Sequence, residues 1–198
     1  MVHDTSIDPI ECAVFVVVAF IPAGVLQALW FKSRWSARFA LPIDNGATVL
    51  GKRLFGDHKT LRGFVVFVPT AGVMFVSLSQ IAQADVFRLS MKIWRLSPEG
   101  YALLGAFAGL GFMSGELPNS FVKRQLGIPP GGVPEGRLMR AAVRTVDRLD
   151  STVGMLVAIS LMVSTPWQLW LTVCVVGPVV HGAFSLLLSR FRLKGVAR

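Results

Sequence analysis

Three long apolar runs constrain this chain more than any other feature of its sequence. They extend over Cys12–Phe31, Phe64–Ile81 and Trp167–Leu188. Each holds about twenty residues, which as a helix is enough to cross roughly 30 Å of hydrocarbon. Overall, 53% of the residues are hydrophobic and 16% are charged, against about 25% charged in a typical soluble domain. The sequence therefore predicts an integral membrane protein.

Two further apolar runs, Tyr101–Met113 and Thr152–Thr165, are too short to cross a membrane alone. The first becomes long enough if it continues through Glu116 to Val122, and the second if it begins at Asp147. Each helix would then carry polar groups at one end. Such groups are costly near hydrocarbon unless they face a polar cavity, which makes them candidates for a functional site. The alternative is that both helices stop short and these polar residues lie in water.

Basic residues are concentrated in segments that a five-helix arrangement places on one side of the membrane. Segments 32–63 and 116–151 hold seven and six of them, and the tail after residue 188 adds four. The positive-inside rule assigns that side to the cytoplasm. We therefore expect a single all-α membrane domain over residues 1–198, with five transmembrane helices, the N-terminus outside and the C-terminus cytoplasmic. The protein would be a multi-pass protein of the cell membrane whose active site faces the cytoplasm.

The net charge of +9 is explained by this topology. No nucleic-acid-binding module accompanies the charge, so we expect no nucleic-acid partner.

Polar segments lie at the cytoplasmic ends of the predicted helices. The stretch FGDHKTLRG, Phe55–Gly63, is a glycine-bounded turn whose donors can cradle phosphate oxygens. It lacks the spacing of a Walker A loop, and a solvated basic loop is the alternative. The stretch ELPNSFVKR brings Lys123 and Arg124 to the point where a helix leaves the membrane. Anchoring of the helix at the interface would explain these two residues equally well.

The stretch VDRLD carries a pair of acids, Asp147 and Asp150, three residues apart. A helix places residues at this spacing on one face. Two like charges there repel each other and gain from a shared cation, and Mg²⁺ prefers oxygen ligands. The alternative is that both acids stabilise the start of a helix through its dipole.

Together and in this order, the motifs resemble those of the CDP-archaeol synthase family, a smaller relative of the CTP-dependent phosphatidate cytidylyltransferases. The resemblance is carried by FGDHKTLRG, GELPNSFVKRQLGI and VDRLD. It implies a five-helix membrane domain that transfers CMP from CTP to a lipid phosphate, giving a CDP-lipid and pyrophosphate. Two features depart from the pattern. His58 stands where the family usually has glycine, and PPGGVPEGRLMRAAVR, expected to form a loop, replaces elements of the larger family.

The resemblance also implies roles for individual residues. Asp147 and Asp150 would hold Mg²⁺ and, with Lys123 and Arg124, act in catalysis. The nucleotide would be bound by further residues, namely Asp57, Lys59, Thr60, Arg62, Glu116, Asn119 and Ser120. CTP and a lipid phosphate would be the substrates, with the lipid entering from the bilayer, and a homodimer stays open.

Two other functions stay open at this level. A CTP-dependent lipid kinase of the polyprenol type would phosphorylate a hydroxyl acceptor and would need a base to activate it. A non-enzymatic transporter or scaffold would use the charges for topology and would not need CTP. Within the cytidylyltransferase interpretation, Asp44, Asn45 and Thr48 around Gly46 are candidates to meet the edge of the cytosine base, although an ordinary loop also explains them.

Overall fold

The structure is a computed structural model that describes residues 7–84, 91–132 and 136–190, and their side chains except those of residues 181 and 184–190. Most of it is helical, as the sequence predicts. The five long helices in chain order are α1 (Pro9–Lys32), α2 (Leu61–Gln83), α3 (Pro98–Gln125), α4 (Arg137–Ser160) and α5 (Trp167–Arg190). The basic residues after Arg190, which contribute to the topology prediction, lie outside the described residues.

Helices α1 and α2 are long and apolar enough, by length and composition, to cross a membrane. The described apolar part of α5, Trp167–Val180, is shorter. A mostly helical chain with two such helices is consistent with an all-α membrane protein.

The two short apolar runs belong to long helices, but the second helix begins earlier than expected. Helix α3 continues through Glu116 to Gln125, as the extended-run hypothesis predicts. Helix α4 begins at Arg137, well before Asp147. The expected loop over Pro129–Arg144 is therefore wrong in its second half. That half contains no proline or glycine and consists mainly of Arg, Leu, Met and Ala, which are good helix formers.

Among the described residues, the segment between α1 and α2 contains the only β-strands, which the all-α prediction does not include. A 3₁₀ helix, Arg34–Phe39, is followed by a short antiparallel hairpin of β1 (Thr48–Val49) and β2 (Lys52–Arg53). The two turn residues, Leu50 and Gly51, have φ of 51° and 76°, as a type I′ hairpin turn requires.

Helix α3 packs against both α2 and α4, and glycines bring α3 and α4 unusually close. A Cβ added to Gly115 would lie 3.0 Å from the Cα of Gly154 and 3.1 Å from the carbonyl carbon of Asp150. Small residues at such seams allow helix backbones to approach closely. The seam therefore fixes the position of Asp150 against α3.

Aromatic side chains pack the end of the bundle where α3 begins. Phe15 and Phe75 meet edge to face, with ring centroids 5.1 Å apart. The Tyr101 hydroxyl donates to the carbonyl of Trp94, and the Trp94 indole donates to the carbonyl of Ser164 at 2.9 Å. The polar residues around Asn119 lie towards the opposite end of α3.

Candidate active site

Helices α3 and α4 form a polar cluster near the C-terminal end of α3. The side-chain amide of Asn119 donates to Oδ1 of Asp147 at 2.5 Å and to Oδ2 of Asp150 at 2.8 Å. Lys123, one turn further along α3, forms an ion pair with Asp147. The two aspartates thus face α3 from one side of α4, as their spacing predicts.

The loop before α2 reaches the same cluster through Lys59. This lysine forms an ion pair with Glu116 of α3. The other carboxylate oxygen of Glu116 accepts a hydrogen bond from the Ser151 hydroxyl at 3.0 Å, and the Ser151 backbone N–H donates to Asp150 at 2.7 Å. Three elements therefore converge on one cluster. Sequence reasoning does not single out Ser151, whose only signal is its position directly after Asp150.

The ligand types in this cluster fit Mg²⁺. Asp147 and Asp150 supply carboxylate oxygens. Rotation of the Asn119 amide would present its oxygen between them, because the amide group carries both an acceptor and a donor. Within the described residues, no group of three or more His, Cys, Asp or Glu side chains is arranged to hold a metal ion. Mg²⁺ often takes one or two carboxylates and completes its shell with substrate phosphates and water, so an acid pair is sufficient.

The start of α4 excludes the dipole explanation for the acid pair. Because α4 begins at Arg137, Asp147 and Asp150 lie in its third and fourth turns. The favourable interaction of acids with a helix dipole is limited to the first turn. The partners of these acids are instead side chains of α3, so that alternative is wrong.

Asp44 organises the loop between α1 and α2. Its carboxylate accepts hydrogen bonds from the backbone N–H groups of Gly46, Phe55 and Gly56 at 3.0–3.2 Å and pairs with Arg53 at 2.6 Å. The pairing with Arg53, supported by the backbone donors, holds the pKa of Asp44 well below its usual range. The side chain is fully buried. The expectation that Asp44 reads the cytosine base is therefore wrong, because its oxygens are already engaged.

Some of the candidate residues lie outside the cluster. The Arg62 guanidinium donates to the carbonyl of Phe31 at 2.8 Å and to the Ser36 hydroxyl at 2.6 Å. It thereby ties the first turn of α2 to the end of α1. Asp57 is largely exposed and pairs with Arg53 at 2.9 Å.

The remaining candidates contribute backbone positions or line a neighbouring cavity. Thr60 is the N-cap of α2 without a side-chain capping hydrogen bond, and its backbone pairs with that of Pro42. Ser120 is buried within α3. Arg124 lines a cavity of about 310 Å³ between the α1–α2 loop and the turn after α3.

Comparison with known proteins identifies the family. A model of the CarS-like CDP-archaeol synthase family matches residues 37–197, which include every element of the cluster. The chain belongs to the CDP-archaeol synthase family. This result confirms the resemblance that the three sequence motifs carry.

Individual members of the CDP-archaeol synthase family show similarity over most of their length. The CDP-archaeol synthase of Halorubrum lacusprofundi is 34% identical over 73% of this chain and 79% of its own. That of Halobacterium salinarum is 32% identical over 71% and 74%, and that of Saccharolobus islandicus is 27% identical over 78% and 80%. No solved structure shows a significant match to the chain.

Proposed function

We propose that the cluster of α3 and α4 is the active site of a CTP-dependent cytidylyltransferase that joins CMP to a membrane lipid phosphate. Membership of the family makes the chain a nucleotidyltransferase of lipid biosynthesis, so neither a kinase nor a non-enzymatic function is needed. The observation that carries the location is the bridge from Asn119 to both Asp147 and Asp150, with Lys123 beside it. The lipid would be archaeol-based, as in the names of the relatives.

The reaction places few demands on proton transfer. An oxygen of the lipid phosphate attacks the α-phosphorus of CTP, forming a new P–O bond. The bond from that phosphorus to the bridging oxygen of the β-phosphate breaks, and pyrophosphate leaves. The attacking group is already an anion, so no strong base is required. Catalysis must instead bring two anions together and stabilise the charge that develops on the leaving group.

The side chains of the cluster match these demands. Asp147 and Asp150 would hold Mg²⁺, which neutralises and aligns phosphate oxygens when bound. Lys123 and Lys59 can exchange their carboxylate partners for phosphate oxygens, which form strong charge-assisted hydrogen bonds. Asn119 sets the separation of the two acids. Glu116 would position Lys59 and α4 rather than contact the phosphorus.

The level of the cluster along α3 favours a site at the cytoplasmic surface of the membrane. We propose that all five helices cross, with segments 32–63 and 116–151 in the cytoplasm. From Pro98, about 30 Å of hydrocarbon corresponds to about twenty helical residues, which ends near Asn119. Asp147, paired across from Asn119, would lie at the same level. A lipid phosphate is held at this boundary by its own chains.

The position of the label in the product tests the proposed reaction. Purified protein in nanodiscs is supplied with Mg²⁺, a panel of lipid phosphates, and CTP labelled at either the α- or the γ-phosphate. The α-label should appear in a CDP-lipid and the γ-label in pyrophosphate. Transfer of the γ-label to the lipid would indicate a kinase, and absence of any labelled lipid across the panel would contradict the cytidylyltransferase assignment.

A further inference from the structure

The 3₁₀ helix Arg34–Phe39 turns an aromatic side chain and two cations away from the rest of the protein. A 3₁₀ helix has three residues per turn, so Trp35 and Arg38 lie on the same face. The Arg38 guanidinium lies over the Trp35 ring, 4.5 Å from its centroid. Trp35 is 63% exposed, and Arg34 beside it is exposed as well. Arg34, Trp35 and Arg38 together are called the outer face of this helix.

The two cations of the outer face are not neutralised within the part of the chain that the structure describes. None of the ion pairs there includes Arg34 or Arg38. The stretch 32–43 contains three basic residues and no acidic one. The next acid along the chain, Asp44, is engaged with Arg53. The outer face therefore combines an exposed indole with positive charge that an anionic partner can compensate.

Hydrogen bonds hold the 3₁₀ helix at the ends of α1 and α2, which are both long and apolar enough to cross a membrane. The guanidinium of Arg62, in the first turn of α2, donates to the carbonyl of Phe31 in the last turn of α1 at 2.8 Å. It also donates to the hydroxyl of the buried Ser36 at 2.6 Å. The ring of Phe39 packs against that of Trp30 in α1, with centroids 5.9 Å apart. The inner face of the 3₁₀ helix is thus fixed where both long helices would reach one membrane surface.

The chemistry of the outer face matches the headgroup layer of a bilayer. An indole ring is amphipathic, and tryptophan is enriched where hydrocarbon meets water. A guanidinium group binds phosphate oxygens in pairs, and anionic lipids attract basic residues close to the membrane. The headgroup layer is about 5–8 Å thick on each side of the hydrocarbon. A soluble protein would have to displace these headgroups to reach a helix that lies directly beside the ends of α1 and α2.

We propose that the outer face of the 3₁₀ helix binds the phosphate headgroups of anionic lipids at this membrane surface. Arg34 and Arg38 would contact phosphate oxygens, and the Trp35 ring would lie at the boundary with the hydrocarbon. None of these residues belongs to the acid cluster between α3 and α4, so the lipids bound here are not the ones that react. The proposal depends on α1 and α2 crossing the membrane and not on the proposed reaction.

Native mass spectrometry of the purified full chain, titrated with phosphatidylglycerol or with phosphatidylcholine, tests the role of the two cations. The double variant Arg34→Gln/Arg38→Gln should bind phosphatidylglycerol about tenfold more weakly or worse, because each basic residue near a membrane contributes several-fold to the binding of anionic lipid. Its affinity for the zwitterionic phosphatidylcholine should be unchanged.

Arg137→Gln/Arg140→Gln is the matched control, because it removes the same charge from exposed residues at the start of α4. These two residues lie about 10–15 Å along the helix from Asp147, on the side away from the hydrocarbon in the proposed arrangement. The control should keep the wild-type affinity for phosphatidylglycerol. An equal loss in the control, or wild-type affinity in the folded Arg34→Gln/Arg38→Gln variant, would overturn the proposal.

Fluorescence quenching tests the position of Trp35. Brominated phosphatidylcholine in nanodiscs quenches indoles that lie in the bilayer, and acrylamide quenches those in water. The emission lost in Trp35→Phe relative to the wild type isolates the signal of Trp35. This signal should be quenched by the brominated lipid and resist acrylamide. Quenching by acrylamide alone would place Trp35 in water, and resistance to both quenchers would mean that protein, such as a second copy of the chain, covers it. Either result would refute the lipid-binding surface without bearing on the reaction, because neither measurement uses turnover.

Discussion

Replacing Gly115 by alanine should push α4 away from α3 and separate the acid pair from its partners. The added Cβ would come closest to the carbonyl oxygen of Asp150, and it would lie 3.0 Å from the Cα of Gly154 and 3.1 Å from the carbonyl carbon of Asp150. Carbon atoms pack at about 3.5–4.0 Å, so the helices must separate by roughly 0.5–1 Å. The Asn119–Asp150 hydrogen bond of 2.8 Å would lengthen accordingly. Misplacing catalytic groups by about 1 Å can cost about a hundredfold in rate.

The assay compares CDP-lipid synthesis by Gly115→Ala and Gly182→Ala in identical nanodiscs. Gly182 lies in α5, and a Cβ added there meets no described atom within 4 Å, so it controls for the substitution itself. We expect kcat to fall by about a hundredfold in the first variant and to stay at the wild-type level in the second. The unfolding temperature of each preparation shows whether the protein remains folded. Wild-type turnover by Gly115→Ala would refute the idea that the glycine seam positions the acids.

Lys123→Ala should lower kcat, and added Mg²⁺ should restore kcat poorly, because the lost cation acts on phosphate rather than on the metal. Full rescue by Mg²⁺ would contradict a role of Lys123 in phosphate binding. Arg62→Gln should lower the unfolding temperature while the folded fraction keeps its KM for CTP, because Arg62 ties α2 to α1; a raised KM would instead place it in the site. The lowered pKa of Asp44 means that its ionised form stabilises the fold above its usual pKa. The unfolding temperature should therefore fall as the pH drops below about 4. Asp44→Asn should show a smaller fall, and an equal fall in the variant and the wild type would refute the stabilising role of the ionised Asp44. Gly136→Cys should resist labelling by a membrane-impermeant reagent in intact cells, because segment 116–151 is proposed to lie in the cytoplasm. Labelling of this cysteine would contradict the proposed topology.

The long helices could be predicted from the sequence because hydrocarbon imposes both a length and a composition on a spanning segment. The apolar run Cys12–Phe31 corresponds to α1 within a few residues. The same reasoning extends α3 through its polar end. The start of α4 could not be found this way, because the eight residues Arg137–Arg144 include three arginines and follow a proline- and glycine-rich stretch.

The acid pair could be predicted as a unit because its spacing sets its geometry on a helix. The roles of Asp44 and Arg62 could not. Asp44 bonds to Gly56, twelve residues away, and Arg62 to Phe31, thirty-one residues away. Composition and spacing contain little information on contacts between residues that lie so far apart in the sequence. They also do not show in which direction a charged side chain points at the end of a helix.

The most direct test of the account is a single preparation of Asp150→Asn. This substitution keeps the shape of the side chain but removes the charge that would hold Mg²⁺. The predicted result is a protein that unfolds near the wild-type temperature and has lost about 3–4 kcal/mol of transition-state stabilisation, or roughly a hundredfold or more in kcat. CTP turnover and the unfolding temperature are measured on that same sample. Near-normal turnover with a lowered unfolding temperature would contradict the metal-site assignment, and with it the placement of the active site between α3 and α4.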